Sequence, residues 1–296
     1  MRHSGLKMGT CKLAKLKALR PNCALTDVRV FRYGRDDNYY TAAFDDGTTR
    51  QRVFIKIAYK LLQSQVIERE LFWHRRAAAA SQYVMPLVGL RFTAPDGQEV
   101  PCIATPYRRK TVQSADPLPR KRFYAHLAYA ARGLMDLHET TTQEYNGMVQ
   151  RDVKAENMVI DGDSLETRLI DFGPALGIGT ADPLAPRTYT PGREPPELAA
   201  ARVADVDIPG HPCQDAYAFA ATLEDNHLER YGPLRGALRE AIEGNLCDDP
   251  EKRLGMAPML DALQRLAGLR APPTPRTTPT PPRSQEIYVR ELVEAL

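Results

Sequence analysis

No apolar run in this sequence approaches the roughly 18–20 residues that a membrane-spanning helix needs, so no transmembrane segment is expected. No hydrophobic stretch suits an export signal, and Met1 is not followed by glycine, so neither secretion nor N-myristoylation is expected. Cysteine is sparse: five residues, at 11, 23, 102, 213 and 247, with no C-x-x-C pair. That excludes the usual zinc spacings and a disulfide framework, and it fits free thiols in a reducing, cytoplasmic compartment. An excess of one charge is also missing. Forty basic against 37 acidic residues leave a net +3, which carries no nucleic-acid signature.

What is present is enough for a real core. With 296 residues and 43% hydrophobic content, the chain suits one large domain or two small lobes with tails. The part with the most chemical character runs VQRDVKAENMVI over 149–160, followed by RLIDFG over 168–173. These stretches resemble the catalytic loop and metal-binding turn of the protein kinase family, H-R-D-x-K-x-x-N followed by D-F-G. Arg151, Asp152, Lys154 and Asn157 fall in register, and Gln150 stands where the family has His.

The resemblance implies roles for these residues. Phosphoryl transfer needs an oriented hydroxyl, metal ions over the phosphates and charge to steady the moving group. Asp152 would accept the substrate hydroxyl proton, and Lys154 would sit beside the γ-phosphate. Asn157 and Asp171 would hold Mg²⁺ (or Mn²⁺) against ATP. Met158–Val159–Ile160 reads as a short strand paired with Leu169–Ile170, with Val159 on the nucleotide side. Downstream, TPGREPPE resembles the close of the Ser/Thr kinase activation segment, which would span Phe172–Glu197 as loop. Thr190 would hydrogen-bond Asp152 and Lys154. Arg151 would ordinarily meet a phosphate on that segment. The position four residues before Thr190 is Pro186, and Thr180 and Thr188 are out of register, so activity without loop phosphorylation is expected. Asp215 in QDAYAFAATLED would hold the catalytic-loop backbone, and Arg253 in CDDPEKRL would pair with Glu197.

The first hundred residues match less well. Short strands are expected at Val28–Phe31, Tyr39–Phe44 and Arg52–Ala58, separated by the turn-like Gly34–Asp37 and Asp45–Gly47. FRYGRDDNYY holds one glycine where the family has G-x-G-x-x-G, and Asp36 and Asp37 would repel phosphate. Val53–Phe54–Ile55–Lys56 follows V-A-I-K except at Phe54, which would crowd the adenine. Lys56 is the expected phosphate-holding lysine, with Lys60 as the alternative. Residues 61–80 read as a helix carrying its partner, Glu70 or alternatively Glu68. Strands are expected at Tyr83–Phe92 and Val100–Tyr107 around the turn Pro95–Gly97. In CIATPY, Thr105 would border the adenine pocket and Tyr107 would lie on the hinge, while Pro106 offers no N–H. Arg120–Glu139 reads as an amphipathic helix leading into the loop.

The implied fold is α+β: a two-lobed, kinase-like chain with a small β-rich N-lobe at 25–107 and a helical C-lobe at 108–270. Only one further helical stretch, about Leu234–Asn245, lies between the Asp215 helix and Arg253, so helix G is expected to be missing or short. Outside the lobes lie a basic N-terminal arm at 1–24, a Pro/Thr-rich linker at 271–283 and a short C-terminal helix at 284–296. The arm carries six basic residues and no acid in its first twenty, which suits a membrane surface or an acidic partner. The resemblance implies a Ser/Thr protein kinase acting on protein substrates, with a protein activator or docking partner in place of helix G. It is similar to the pared-down kinases that pathogens deliver into host cells. The alternatives are a pseudokinase serving as a nucleotide-binding or scaffold protein, favoured by the absent glycines, Phe54 and Gln150, and a small-molecule kinase.

Overall fold

The computed structural model describes residues 17–18, 24–33, 38–57, 61–89, 92–93, 99–115, 118–142, 146–160, 166–182, 190 and 192–269. The 1–24 arm apart from Lys17, Ala18 and Ala24, the Gly34–Asp37 and Pro95–Gly97 turns, Lys60, Pro186, Thr188, the 271–283 linker and the 284–296 helix lie outside the described residues. In chain order the elements are β1 (Lys17–Ala18), β2 (Ala24–Tyr33), β3 (Asn38–Asp45), β4 (Arg50–Ile57), α1 (Leu61–Ala80), β5 (Phe92–Thr93), β6 (Glu99–Val100), β7 (Cys102–Pro106), α2 (Arg120–Glu139), β8 (Met148–Val149), β9 (Met158–Ile160), β10 (Thr167–Leu169), β11 (Leu176–Gly177), α3 (Pro196–Ala204), α4 (Pro212–Tyr231), α5 (Gly236–Glu243) and α6 (Met256–Ala267). The architecture is therefore α+β, with the larger sheet first and most of the helix after it.

Alternation builds that sheet. Along β4, Val53, Ile55 and Ile57 are buried, while Phe54 and Lys56 lie half-buried on the opposite face. Antiparallel pairing gives the order β2-β3-β4-β7. The β3–β4 turn is held by its own side chains. Asp46 Oδ1 accepts hydrogen bonds from the backbone of Thr48 and Thr49, and Gly47 takes φ +83°. One face of the sheet closes over Tyr40, Ala42, Phe44, Val53, Ile55, Ile57, Cys102 and Ala104. The other receives α1, where Ile67 packs on Ile103.

The sequence expectation of a strand at Tyr83–Phe92 is corrected. Val84 makes one isolated bridge to Leu169, and among the described residues of this stretch only Phe92, in Phe92–Thr93, is in a strand. Pro86 has no N–H to donate and a fixed φ, so no ladder can run through it. The segment still joins the two parts of the molecule. Met85 N–H donates to Leu169 O at 2.9 Å, and Val88 N–H donates to Ala104 O at 2.7 Å.

The second core is helical. α2 buries Phe123, Leu127, Leu134 and Leu137 almost completely, each contributing roughly 1.5–3 kcal/mol against exposure. It packs against α6, whose buried side carries Met256, Met259, Leu260 and Leu263. The α2–β8 connection turns at Gly147, φ +85°, where an added Cβ would run into the His138 carbonyl. Between α4 and Arg253 the described residues hold one α-helix, the eight-residue α5. The stretch Phe172–Glu197, expected as loop, contains the short strand β11, and its last two residues open α3. No helix among the described residues is long and apolar enough to cross a membrane.

Candidate functional site

The site is built where β8 ends and β9 begins. Between them, the backbone at Arg151 takes φ +65°, and beyond β10 the backbone at Asp171 takes φ +64°. Both are unfavourable for residues with a Cβ and persist only where surroundings enforce them, at a cost of order 1–3 kcal/mol each. The enforcement at Arg151 is visible. Asp215, fully buried on α4, accepts Gln150 N–H at 2.9 Å and Arg151 N–H at 2.8 Å, and its carboxylate also meets His138 Nε2 at 2.9 Å. The expectation for Asp215 thus has a direct geometric counterpart.

Asp152 follows, and its carboxylate is surrounded. Lys154 Nζ donates to Oδ2 at 2.6 Å, Asn157 Nδ2 donates to Oδ2 at 3.0 Å, and Thr190 Oγ1 donates to Oδ1 at 3.1 Å. Asn157 Nδ2 also donates to the Asp152 carbonyl at 3.0 Å, and Lys154 reaches Thr190 Oγ1 at 3.4 Å. Burial nevertheless dominates and raises the Asp152 pKa above the usual carboxylate value, with nearby Asp171 adding to the rise and Lys154 and Thr190 opposing it. A carboxylate held in place with raised basicity is suited to receive a proton.

Asn157 and Asp171 are brought together by β9 and β10, whose ends are linked by Ile170 N–H donating to Asn157 O at 3.1 Å. Among the described residues, no three His, Cys, Asp or Glu side chains form a metal-holding group. The donors here are one carboxylate and one amide oxygen. That set fits Mg²⁺, which binds through few protein oxygens and completes its shell with phosphates and water. The Asn157 amide nitrogen is spent on Asp152, so its oxygen turns away from that residue.

Above this loop, Lys56 Nζ donates to Glu70 Oε2 at 2.7 Å, with the two side chains 13% and 5% exposed. Glu68, the alternative partner, is exposed. Thr105 is buried on β7 opposite Phe54. Tyr107 N–H donates to Arg52 O at 2.8 Å, so that donor is used within the sheet. Val159 is buried, and it is absent from the helical core that Met158 and Ile160 join, as strand alternation requires. Phe54 lies on the Lys56 face. Its ring stacks on Tyr39 at 5.7 Å and meets Phe31 edge-on at 5.5 Å, and Phe31 in turn lies 6.2 Å from Tyr107. An aromatic group therefore covers this part of the sheet's Lys56 face.

Arg253 and Glu197 form a two-pronged pair, both bonds at 2.7 Å, with the Arg253 side chain fully buried. Three residues matter more than sequence reasoning suggested. Gln150, read as a departure, is fully buried and donates from Nε2 to Ile170 O at 2.7 Å, steadying the backbone that carries Asp171. His74, on α1, is buried with its ring 5.1 Å from that of Phe172 and Nε2 2.7 Å from Met85 O; burial lowers its pKa to about 4, so it is neutral. Arg69 reaches from α1 to the loop after Asp171. No local sequence pattern marks these, because their partners lie 11 to 113 residues away. No family model and no curated protein matches this chain.

Proposed function

We propose that the chain is a Ser/Thr protein kinase of divergent, compact type, in a two-lobed kinase-like fold whose helix G is missing or short. It transfers the γ-phosphate of ATP, with Mg²⁺ or Mn²⁺, to hydroxyl groups of protein substrates. The observation that carries this reading is the Asp152 carboxylate, fixed by Lys154, Asn157 and Thr190 beside Asp171. In the step, the substrate oxygen bonds to the γ-phosphorus as the bridging P–O bond breaks. ADP leaves, and the hydroxyl proton passes to Asp152. Lys154 steadies the charge of the moving group, and Lys56, locked by Glu70, holds the phosphates behind it. Asn157 and Asp171 would hold the metal, which supplies neutralisation of phosphate charge.

The test is Mg²⁺-dependent transfer of labelled γ-phosphate to the protein itself and to a generic protein substrate. Wild type is compared with Asp152→Ala and Asp171→Ala. Transfer abolished by both changes is expected; none from folded wild type, even with cell extract added, overturns the reading. A second reading, a pseudokinase that binds nucleotide without transfer, is favoured by one observation, the aromatic group around Phe54. Melting stabilised by nucleotide without any transfer would select it.

A further inference from the structure

Arg69 sits one residue before Glu70 on α1, so the two side chains leave the helix about 100° apart. Glu70 turns toward the sheet and takes Lys56. Arg69 turns toward the loop that follows Asp171, and all three of its guanidinium nitrogens are engaged there. Nε donates to Asp182 Oδ2 at 2.8 Å, Nη1 donates to Gly173 O, and Nη2 donates to Ala175 O at 2.6 Å. The Arg69 side chain is only 11% exposed, and that of Asp182 is 31% exposed. A planar fork with fixed donor directions holds three acceptors in one arrangement, which a lysine could not do. The tie also lies next to the chemistry. A Cβ added to Gly173 would stand 3.5 Å from Asp171 Oδ1 and 3.6 Å from Glu70 Oε2.

We propose that Arg69 is a positioning residue that fastens α1 to the Gly173–Asp182 segment, so that the Lys56–Glu70 pair and Asp171 are set as one unit. Asp182 supplies a permanent carboxylate to this fastening, and the segment is held without any added phosphate. What is positioned rests on the kinase reading; the fastening itself does not.

Two measurements separate those claims. The first is amide hydrogen exchange over 61–80 and 171–182 in wild type, Arg69→Met, Asp182→Asn and the double variant. Arg69→Met should speed exchange in both segments by about tenfold or more. Asp182→Asn should act more weakly, and the double variant should be no faster than Arg69→Met alone. Unchanged exchange over 171–182 in Arg69→Met overturns the fastening, whether or not the protein is an enzyme. The second is phosphate transfer by wild type freed of phosphate by phosphatase, checked by intact mass. An undiminished rate is expected, with kcat of Arg69→Met down about 10–100-fold and KM for ATP little changed. Loss of the wild-type rate on dephosphorylation would overturn the role of Asp182. No transfer from any form, with exchange still coupled, would refute the kinase reading and leave the fastening standing.

Discussion

The loop around Asp152 and the sheet face around Phe54 are built differently. Every polar group of the Asp152 carboxylate has a partner, and the backbone beneath it is pinned by a buried Asp215. The sheet face around Phe54 is held by rings and half open: Phe31 is 55% exposed and forms a loose cluster with Tyr39, Phe54 and Tyr107. A hydrogen-bond network fixes positions to tenths of an ångström and fails when one member goes. Ring packing tolerates exchange. If the chain transfers phosphate, the demand for geometry falls on the helical side, and the sheet side needs only to cover the nucleotide.

The sharpest break in that comparison is Asp152→Asn. The proton acceptor disappears, and phosphate transfer should fall at least about 10³-fold. Stability should move the other way. The folded-state pKa of Asp152 is raised above its unfolded value, so folding favours the protonated form. The stabilisation belonging to that form is complete below the unfolded pKa and is lost as pH rises through the folded one. At neutral pH the ionised group therefore strains the fold, and a neutral amide relieves it. Thermal melting at pH 7 should rise by roughly 1–3 °C, and the gain should vanish on acidification through the carboxylate range. A fall in melting temperature at pH 7 would mean that the bonds to Lys154 and Thr190 outweigh burial.

Next in size is Asp215→Ala. It strands the Gln150 and Arg151 amides and leaves the positive φ at Arg151 without its enforcer. A loss of about 3–5 kcal/mol in urea unfolding is expected, as for breaking a buried charged network. A loss under ~1 kcal/mol would show that the loop holds itself.

Much of this frame was legible in the sequence. β4 alternates buried and half-buried residues from Val53 to Ile57, and two of the three described twenty-residue helices, Leu61–Ala80 and Arg120–Glu139, fall where their helix-favouring residues place them. The grouping of Asp152, Lys154 and Asn157 was legible because its members lie no more than five positions apart in the chain. The segment at Tyr83–Phe92 was misread because its apolar composition suits a strand while Pro86 forbids the ladder. Gln150 and Arg69 were opaque for another reason. A glutamine before Arg151 and an arginine on a helix have meaning only through carbonyls 20 and 104 residues away, and backbone acceptors leave no mark in sequence.

Gln150 gives the third and more moderate test. Gln150→Leu keeps the volume and removes the donor to Ile170 O. The stranded carbonyl should cost about 1–3 kcal/mol. The transfer rate should fall about tenfold through a looser Asp171. Gln150→His, which restores a ring donor, should recover most of the rate. Equal rates in all three would reduce Gln150 to filling space.

The smallest effect is expected on the sheet side, from Phe54→Ala. The ring is half-buried and packed on Tyr39 and Phe31, so its loss should cost about 1–2 kcal/mol, less than a fully buried aromatic. The same change opens the roof opposite Thr105. Thermal shift with Mg²⁺-ATP should then show a larger nucleotide-induced rise than in wild type, although the ligand-free protein melts lower. These opposite signs would mean that Phe54 crowds the base and that the roof was filled for stability rather than for binding. A smaller rise would mean that the base stacks on the ring itself. The aromatic group would then be part of the binding site, and the contrast between a strict loop and a permissive sheet would hold only for the phosphates.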